Sequence, residues 1–164
     1  MPAAWRAAGR PQRISLTSDA VRRIFPTPQD AEAAFYEALE KNDLEAMMEA
    51  WADDEEIFCV HPGGVRLVGY DAVRAAWQRI FASGQRLRVR TSDVVTMTSG
   101  MIAVHTLHEN IAIAGDRGTA VSLATNIYLR SSDGWRMIAH HASPGEAATP
   151  VAGRAVPDGP KTLH

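Results

Sequence analysis

The sequence has a single cysteine and no long apolar run, and each absence excludes a class of protein. With Cys59 alone, the chain cannot form an internal disulfide or a zinc site built from several thiolates. No apolar run approaches the roughly 20 residues that a membrane-spanning helix needs. We therefore expect a reducing compartment, taken here as the cytoplasm, and no membrane partner.

The charge balance also lacks an excess of either sign. The formal net charge is −2 over 164 residues, so nothing in the whole chain favours binding to nucleic acid or to an anionic membrane. Hydrophobic residues make up 46% and charged residues 22%, which is ordinary for a soluble globular protein. The length is most simply that of one domain with tails.

The two ends of the chain differ in composition from its middle. The first 25 residues carry five arginines and one acid, Asp19, a composition typical of an organelle transit peptide, although an overlong gene start would look the same. We expect residues 1–26 to be a flexible or loosely docked extension. Residues 144–164 are rich in Pro, Gly and Ala without periodicity and are expected to form a C-terminal tail.

Helix signals occupy the first half of the central region. Thr27 is a good N-cap and Pro28 suits a first helical turn, so a helix is predicted from there to a break at Asn42-Asp43. A second, short helix follows, and Asp71 is a plausible N-cap for a third. The apolar residues at helical spacing are Ala31, Phe35, Leu39, Leu44, Met47, Met48, Trp51, Val73, Trp77, Ile80 and Phe81.

Strand signals dominate the second half. A short strand is predicted at 57–60, and long strands at 87–97, 101–114, 119–130 and 135–143, separated by glycine-containing turns. Because helices come first and hairpin-linked strands follow, the fold class is predicted as α+β with an antiparallel meander. Strands of this length curve, so helices packed on the concave side would leave a cone with a cavity. The convex face would be free for dimerisation.

Four motifs, in this order, are similar to those of a known group of domains. They are Val60-His61-Pro62-Gly63-Gly64, Gly69-Tyr70-Asp71-Ala72-Val73 with Trp77, Asp133-Gly134-Trp135, and His140-His141-Ala142-Ser143. Over residues 27–143 the chain resembles the NTF2-like superfamily and, more closely, the SnoaL-like bacterial domains grouped with ketosteroid isomerase. The resemblance implies a cystatin-like cone. It does not fix a function, since the superfamily includes isomerases, cyclases, dehydratases and noncatalytic binding or oligomerisation domains.

The resemblance also suggests which strand face lines the cavity. Successive side chains of a strand point to opposite faces. In the related association domain of a calmodulin-dependent kinase, arginines at the places of Asn126 and Ala142 point into the cavity. By this similarity the even-numbered residues are the inner ones, and the odd-numbered His105, Glu109 and His141 lie on the dimer face. The inward polar residues are then Thr106, His108, Asn110, Asn126, Tyr128 and His140.

His140 and His108 are the candidate catalytic residues under this assignment. An imidazole titrates near neutral pH, so either could act as a general base in a cleft. The alternative is a buried neutral histidine that hydrogen-bonds to the backbone or to Asn126. The predicted ligand-pocket residues, some of which could equally be core, are His61, Trp51, Trp77, Thr106, Asn126 and Tyr128.

Metal and cofactor chemistry is not expected. A metal site needs three or four converging ligands, and the histidines do not share a face with a nearby acid. Ketosteroid isomerase uses a carboxylate base with a tyrosine and a protonated aspartate. The strands offer only Asp93 and Glu109, and neither is predicted to point inward. Cys59 is interpreted as an inert core thiol.

Three functions remain open from the sequence. The first is a small-molecule-binding domain with a mostly apolar pocket for a small apolar or aromatic ligand. The second is an isomerase, cyclase or dehydratase that uses a pocket histidine as general base on a carbonyl or polyketide-like substrate. The third is a homodimerisation scaffold that associates through the convex face of the sheet.

Overall fold

The computed structural model describes residues 22–145, and in this part the helices precede the long strands as predicted. The helices are α1 (Pro28–Lys41), α2 (Leu44–Ala50) and α3 (Tyr70–Ala82). The strands are β1 (Phe58–Val60), β2 (Arg66–Val68), β3 (Leu87–Ser99), β4 (Ile102–Ile113), β5 (Thr119–Ser131) and β6 (Gly134–Pro144). This is the expected α+β arrangement of three helices and a curved sheet.

The strands form one sheet in the order β2-β1-β6-β5-β4-β3. The pairs from β3 to β6 are antiparallel, which confirms the meander. The sheet is mixed, however, because β1 runs parallel to β6. This pairing places the end of β1, and therefore His61 just beyond it, beside the centre of the last strand.

The local signals for α1 act as the sequence predicts. The Thr27 hydroxyl accepts a hydrogen bond from the Asp30 N–H at 3.1 Å, and the Asp30 carboxylate accepts one from the Thr27 N–H at 3.0 Å. This reciprocal capping box fixes where the helix begins. Asn42 ends it in the left-handed conformation, with φ 54°.

The third helix begins two residues earlier than predicted. It starts at Tyr70, with Gly69 at the N-cap and no side-chain cap, so Asp71 lies inside its first turn. A carboxylate in the first turn interacts favourably with the positive end of the helix dipole, although here it does not serve as the cap. Gly69 has φ 90°, a backbone conformation that glycine adopts without strain.

The core lies between the helices and the inner face of the sheet. α1 packs against it with a stripe that includes Ala31, Phe35 and Leu39, and Phe35 is completely buried. Trp51 and Trp77 are also buried, at 0% and 3% exposed, so both predicted pocket tryptophans are part of this packing.

The predicted terminal segments fall mostly outside the described residues. Residues 1–21 and 146–164 are not described, so the expected extension and tail stay predictions there. Within the described part, Phe25 is 1% exposed and pairs by a β-bridge with Gly134. Over residues 22–145, no helix is both long and apolar enough to cross a bilayer.

Strand register determines which residues face the helices. On β5 the even-numbered residues from Ser122 to Tyr128 are buried, Asn126 among them, and on β6 His140 is buried, as expected. Across the β4–β5 ladder, however, Asn126 pairs with His105 and Ser122 pairs with Glu109. Directly paired residues point to the same face, so the odd-numbered residues of β4 face inward.

The predicted inward positions on β4 are therefore wrong. Thr106 and His108 lie on the outer face, opposite Thr125 and Leu123, and Asn110 pairs with Val121 on that face too. Conversely, His105 and Glu109, predicted for the dimer face, are 0% and 4% exposed beneath the helices. The error arose because the even-numbered residues were taken as inward on both strands. In the β4–β5 ladder, odd-numbered residues of β4 pair with even-numbered residues of β5.

Candidate functional site

The inner face of the sheet carries a row of polar residues across neighbouring strands. Cys59 pairs with His140, His140 with Asn126, and Asn126 with His105. Helix α1 lies over this row and adds two more polar side chains at its buried face. We call the hydrogen-bonded set the polar cluster; its members are Glu32, Tyr36, His105, Glu109, Asn126, Tyr128 and His140.

Glu32 is the acceptor at one end of the polar cluster. Its Oε2 lies 2.8 Å from Nδ1 of His105 and accepts from the Tyr128 hydroxyl at 3.0 Å. The Asn126 amide donates to the same oxygen at 3.4 Å. The Glu32 side chain keeps 13% exposure, so this end of the polar cluster reaches solvent.

The contact with Glu32 orients the ring of His105. A carboxylate only accepts hydrogen bonds, so Nδ1 of His105 carries the hydrogen. The other ring nitrogen, Nε2, is buried and has no hydrogen-bond partner. The arrangement is a carboxylate-oriented imidazole with one unused ring nitrogen.

His140 is buried and inward, but it is tied to a neighbour. Its Nδ1 lies 2.7 Å from Oδ1 of Asn126, whose amide nitrogen donates at 3.1 Å to the Tyr36 hydroxyl. Burial, with smaller contributions from the charges of His61 and His141, lowers the pKa of His140 to about 3. The ring is therefore neutral at physiological pH. This is the alternative considered from the sequence, a neutral histidine held by Asn126.

Glu109 and Tyr36 form the other end of the polar cluster. The Tyr36 hydroxyl donates to Oε1 of Glu109 at 2.8 Å. Burial is the main cause that raises the pKa of Glu109 to about 7, and repulsion by Glu32 adds to it. Burial and the charge of Glu109 raise the pKa of Tyr36 well above its ordinary value. Glu109 is consequently a carboxyl group that exchanges a proton near neutral pH.

An aromatic wall adjoins the polar cluster. The ring of His61 stands perpendicular to Trp77 at 4.7 Å between centroids, and Phe35 lies 5.2 Å from His140. Burial lowers the pKa of His61. The indole nitrogens of Trp51 and Trp77 are buried without a hydrogen-bond partner. An indole N–H is a hydrogen-bond donor, and leaving a buried donor unpaired costs free energy.

Cys59 fits its interpretation as an inert thiol. It is fully buried, and burial raises the pKa of its thiol to about 12. Its Sγ lies 3.6 Å from Nε2 of His61, but the thiolate needed for nucleophilic chemistry is disfavoured.

The structure does not bring His108 into this site. Nδ1 of His108 contacts the Asp93 carboxylate at 3.0 Å on the outer face, and both side chains are partly or largely exposed. His108 therefore cannot act on a molecule bound at the inner face. Thr106 is excluded from an inner pocket by the same placement.

Part of the inner face is left open beside His105. Thr96 pairs with His105 and Thr98 pairs with Ala103, so both threonines share the inner face, and both are exposed. We call these two residues of β3 the ledge. It is an exposed part of the inner face, and Thr96 lies directly opposite His105 in the ladder.

A separate cavity of about 260 Å³ lies at the surface near α2. It contains none of the predicted pocket residues. It is lined by Arg22, Glu45, Met48, Glu49, Asp53 and Tyr70. Among residues 22–145, no three His, Cys, Asp or Glu side chains are grouped so that they could hold a metal ion.

Four members of the polar cluster were not predicted from the sequence, namely Glu32, Tyr36, His105 and Glu109. One signal was present in α1: Glu32 and Tyr36 share the helical spacing of the buried Phe35 and Leu39. A carboxylate within an apolar stripe is unusual enough to mark a candidate site. No comparable signal identified His105 and Glu109, because their face depends on strand register.

Comparisons with known proteins bear on the family. A sequence profile of the SnoaL-like domain matches residues 29–146. The F-box protein SKIP8 of Arabidopsis thaliana is 26% identical over 109 residues, which are 66% of this chain and 46% of that protein. The chain thus spans less than half the length of this curated relative.

Two solved bacterial structures are similar over most of their length. One comes from Thiobacillus denitrificans and is provisionally named a calcium/calmodulin-dependent protein kinase type II association domain. It is 38% identical, with TM-score 0.72, and the match covers 76% of this chain and 99% of that one. The other comes from Streptomyces avermitilis and is provisionally named a dehydratase of the NTF2-like family. It is 35% identical, with TM-score 0.66, and the match covers 71% of this chain and 92% of that one. The profile match and these likenesses show that the chain belongs to the SnoaL-like domain family and has the NTF2-like, cystatin-like fold.

Proposed function

We propose that the protein binds a small organic molecule at the inner face of its sheet, between Glu32, His105 and the ledge. The observation that supports this most strongly is Nε2 of His105, which is buried, oriented by a carboxylate and without a partner. Leaving a buried polar atom unsatisfied costs about 1–3 kcal/mol. A ligand that forms a hydrogen bond with Nε2 would recover that free energy.

The composition of the interior supports the same proposal. Packed apolar side chains in place of a buried polar network are often neutral or stabilising, so packing alone gives no reason for the polar cluster. Ligand sites are mostly apolar with a few convergent polar groups. Here Phe35, Trp51 and Trp77 supply apolar surface next to the polar cluster.

Nitrogen-detected NMR of protein with labelled imidazole rings tests the proposal. A library of small aromatic and aliphatic compounds is added, and the ring nitrogens of His105 and His108 are followed together. His108 is the matched control, because it also contacts a carboxylate but lies on the outer face. We expect some compounds to move the His105 Nε2 resonance and leave His108 unchanged. If no compound moves His105, or if both rings always move together, the proposal is wrong.

A second function, dehydration by acid–base catalysis, has its own support. The Streptomyces neighbour is provisionally named a dehydratase. Glu32 holds the ring of His105 through a hydrogen bond to Nδ1, which is how a carboxylate orients a histidine that acts as general base. With a β-hydroxy carbonyl compound, Nε2 would take the α-proton and the C–H electron pair would form the C=C bond. The protonated ring would return that proton to the β-hydroxyl, which leaves as water with the electrons of the broken C–O bond. This replaces His140 and His108 as proposed bases with His105.

Kinetics separate this enzyme from a binding protein. A general base contributes about 10²–10⁴-fold to the rate, so H105Q should lower turnover of a β-hydroxy carbonyl substrate by that factor. H108Q is the control and should retain activity. If wild type and H105Q turn over the substrate at the same rate, the catalytic proposal fails, and ligand binding at the site is then decided by the NMR experiment alone.

A third proposal, homodimerisation through the outer face, is compatible with either function. Four large apolar side chains on that face are exposed to between 37% and 69%: Val95, Met97, Ile102 and Leu123. Exposed apolar surface of this kind is typical of an interaction site.

A further inference from the structure

The surface cavity near α2 is lined by more acidic than basic side chains. We call it the α2 cavity. Its volume is about 260 Å³, and its charged lining residues are Glu45, Glu49, Asp53 and Arg22. Glu45 already has a partner, because its Oε1 accepts a hydrogen bond from the Arg74 guanidinium at 2.6 Å. Two further carboxylates therefore share the cavity with a single guanidinium.

Those two carboxylates have no cation in contact. Among residues 22–145, neither Glu49 nor Asp53 forms a salt bridge. The guanidinium of Arg22 donates instead to the carbonyl oxygen of Trp51 at 3.1 Å. Arg136, on whose charge Glu49 acts from a greater distance, also donates its hydrogen bonds to carbonyl oxygens. The α2 cavity thus has carboxylate oxygens available to an incoming positive group.

The remaining lining suits an arginine side chain in particular. Burial raises the pKa of Tyr70; Asp53 adds to this, while Arg74 and Arg22 oppose it. The phenol therefore stays neutral and presents its aromatic ring beside these charges, with Met48 as apolar surface. A guanidinium pairs with carboxylates through its planar fork and stacks on aromatic faces, and its methylene groups lie on apolar surface.

The chain enters the described structure at the edge of the α2 cavity. Arg22 is both the first described residue and one of the lining residues. The residues before it carry three arginines, Arg6, Arg10 and Arg13, against one acid, Asp19. Arg13 precedes Arg22 by nine residues, and nine residues span at most about 30 Å. Arg13 is therefore within reach of the cavity, and the charges of the two parts are complementary.

We propose that residues 1–21 bind in the α2 cavity of their own chain, with an arginine side chain placed between Glu49 and Asp53 and against Tyr70. The proposal concerns a surface apart from the inner face of the sheet and does not depend on the ligand site there. A weak contact is enough, because direct linkage to residue 22 raises the effective concentration of the segment to about the millimolar range.

A spin label on the segment tests the proposal. The nitroxide is attached at A8C, between Arg6 and Arg10. Cys59 does not compete for the label, because it is fully buried and its thiol pKa is raised to about 12. We expect the label to broaden the amide NMR signals of residues 45–53 and to leave those of residues 115–118 sharp. The substitutions R6Q, R10Q and R13Q together should lower this broadening about three- to fivefold.

The cavity side is tested by E49Q/D53N, which should lower the broadening by the same factor. Both substitutions keep the side-chain shape, and neither carboxylate makes a hydrogen bond within the described part of the chain. Salt tests the wild-type cavity without any substitution. At about 1 M salt the Debye length is about 3 Å, so the broadening should fall there too.

E37Q/D116N is the matched control. It removes two charges from exposed carboxylates outside the cavity, and an amide oxygen at position 116 still accepts from the Gly118 N–H. The control should keep the broadening. Equal losses in the two double variants, or no broadening of residues 45–53 in the wild type, would overturn the proposal. So would broadening that appears only when spin-labelled protein is mixed with a second, nitrogen-labelled copy, since the segment would then bind another molecule.

Discussion

Glu109 and His140 are two buried groups whose pKa values burial displaces in opposite directions. The pKa of the Glu109 carboxyl rises from 4.5 to about 7, and that of the His140 imidazole falls from 6.5 to about 3. In both cases the neutral form is favoured, because the interior solvates a charge poorly. The two groups therefore make opposite contributions to the pH dependence of folding.

The signs follow from proton uptake in the two states. Folded Glu109 holds its proton more tightly than the unfolded chain does, so its contribution is present below pH 4.5 and is lost as the pH rises to about 7. Folded His140 resists protonation, so its contribution is present above pH 6.5 and is lost as the pH falls toward 3. Between pH 4.5 and 6.5 the two slopes nearly cancel.

Single substitutions should expose the cancelled slopes. In E109Q, the free energy of unfolding should rise between pH 4.5 and 6.5 by about 1.4 kcal/mol per pH unit, relative to wild type. In H140Q it should fall with pH at a similar rate over the same range. Urea unfolding at a series of pH values measures both slopes. Variants with the wild-type pH profile would show that these two groups do not titrate as described.

At this scale the sequence allowed a partial prediction. His140 and Asn126 could be placed on one face, and their hydrogen bond was one of the alternatives considered. His105 could not be placed on that face from the sequence, because its face depends on which residue of β5 it opposes. Asn126 opposes it directly, and no local pattern in residues 102–113 carries that information.

At the scale of helices and strands, turn chemistry explains why most elements were predictable. Thr27 with Asp30 and the glycine turns act within a few residues, so the sequence shows them directly. The parallel pairing of β1 with β6 joins residues far apart along the chain, and only tertiary packing determines it. The β-bulge between Ile127 and Tyr128 likewise has no sequence signal of its own.

Gly134, in the turn that leads into β6, offers a test of close packing. Gly134 and Gly115 have similar backbone angles, with φ 88° and 92°, so an alanine at either position is strained. An added Cβ at Gly134 would come within 2.6 Å of the Phe25 carbonyl oxygen, whereas at Gly115 nothing lies within 4 Å. G134A should therefore lower the free energy of unfolding by about 1–3 kcal/mol more than G115A.

Chemical denaturation of the two variants measures this difference directly. Equal losses would show that the segment at Phe25 moves away from the turn freely. A larger loss for G134A would show that the contact between Phe25 and Gly134 contributes to the stability of the domain.

At the scale of the whole molecule, the sheet separates two surfaces of different character. The inner face carries the polar cluster and the core, and the outer face carries exposed apolar residues on β3, β4 and β5. The α+β class and the cone could be predicted because helix-then-hairpin order and family motifs extend over residues 27–143. The inner pocket stays a prediction, since α1 lies directly over the polar row.

Homodimerisation should depend on the outer face. M97E places a charge in the apolar patch and should convert a dimer to a monomer in light-scattering measurements over a dilution series. V65E is the control: Val65 is 77% exposed but lies in the segment before β2, outside that patch. A wild-type protein that is monomeric at every concentration, or equal effects of the two variants, would contradict the proposed interface.

The two outermost strands have a consequence for the behaviour of the protein at high concentration. Of these, β2 has three residues and β3 is interrupted between Ser92 and Val95, where Asp93 adopts φ 51°. The unpaired backbone groups of an edge strand can pair with a strand of another molecule. A short strand, an irregular backbone and charged side chains all oppose such pairing. Arg88 and Arg90 add exposed charge to β3. Both edge strands of the sheet thus have features that oppose amyloid-like aggregation.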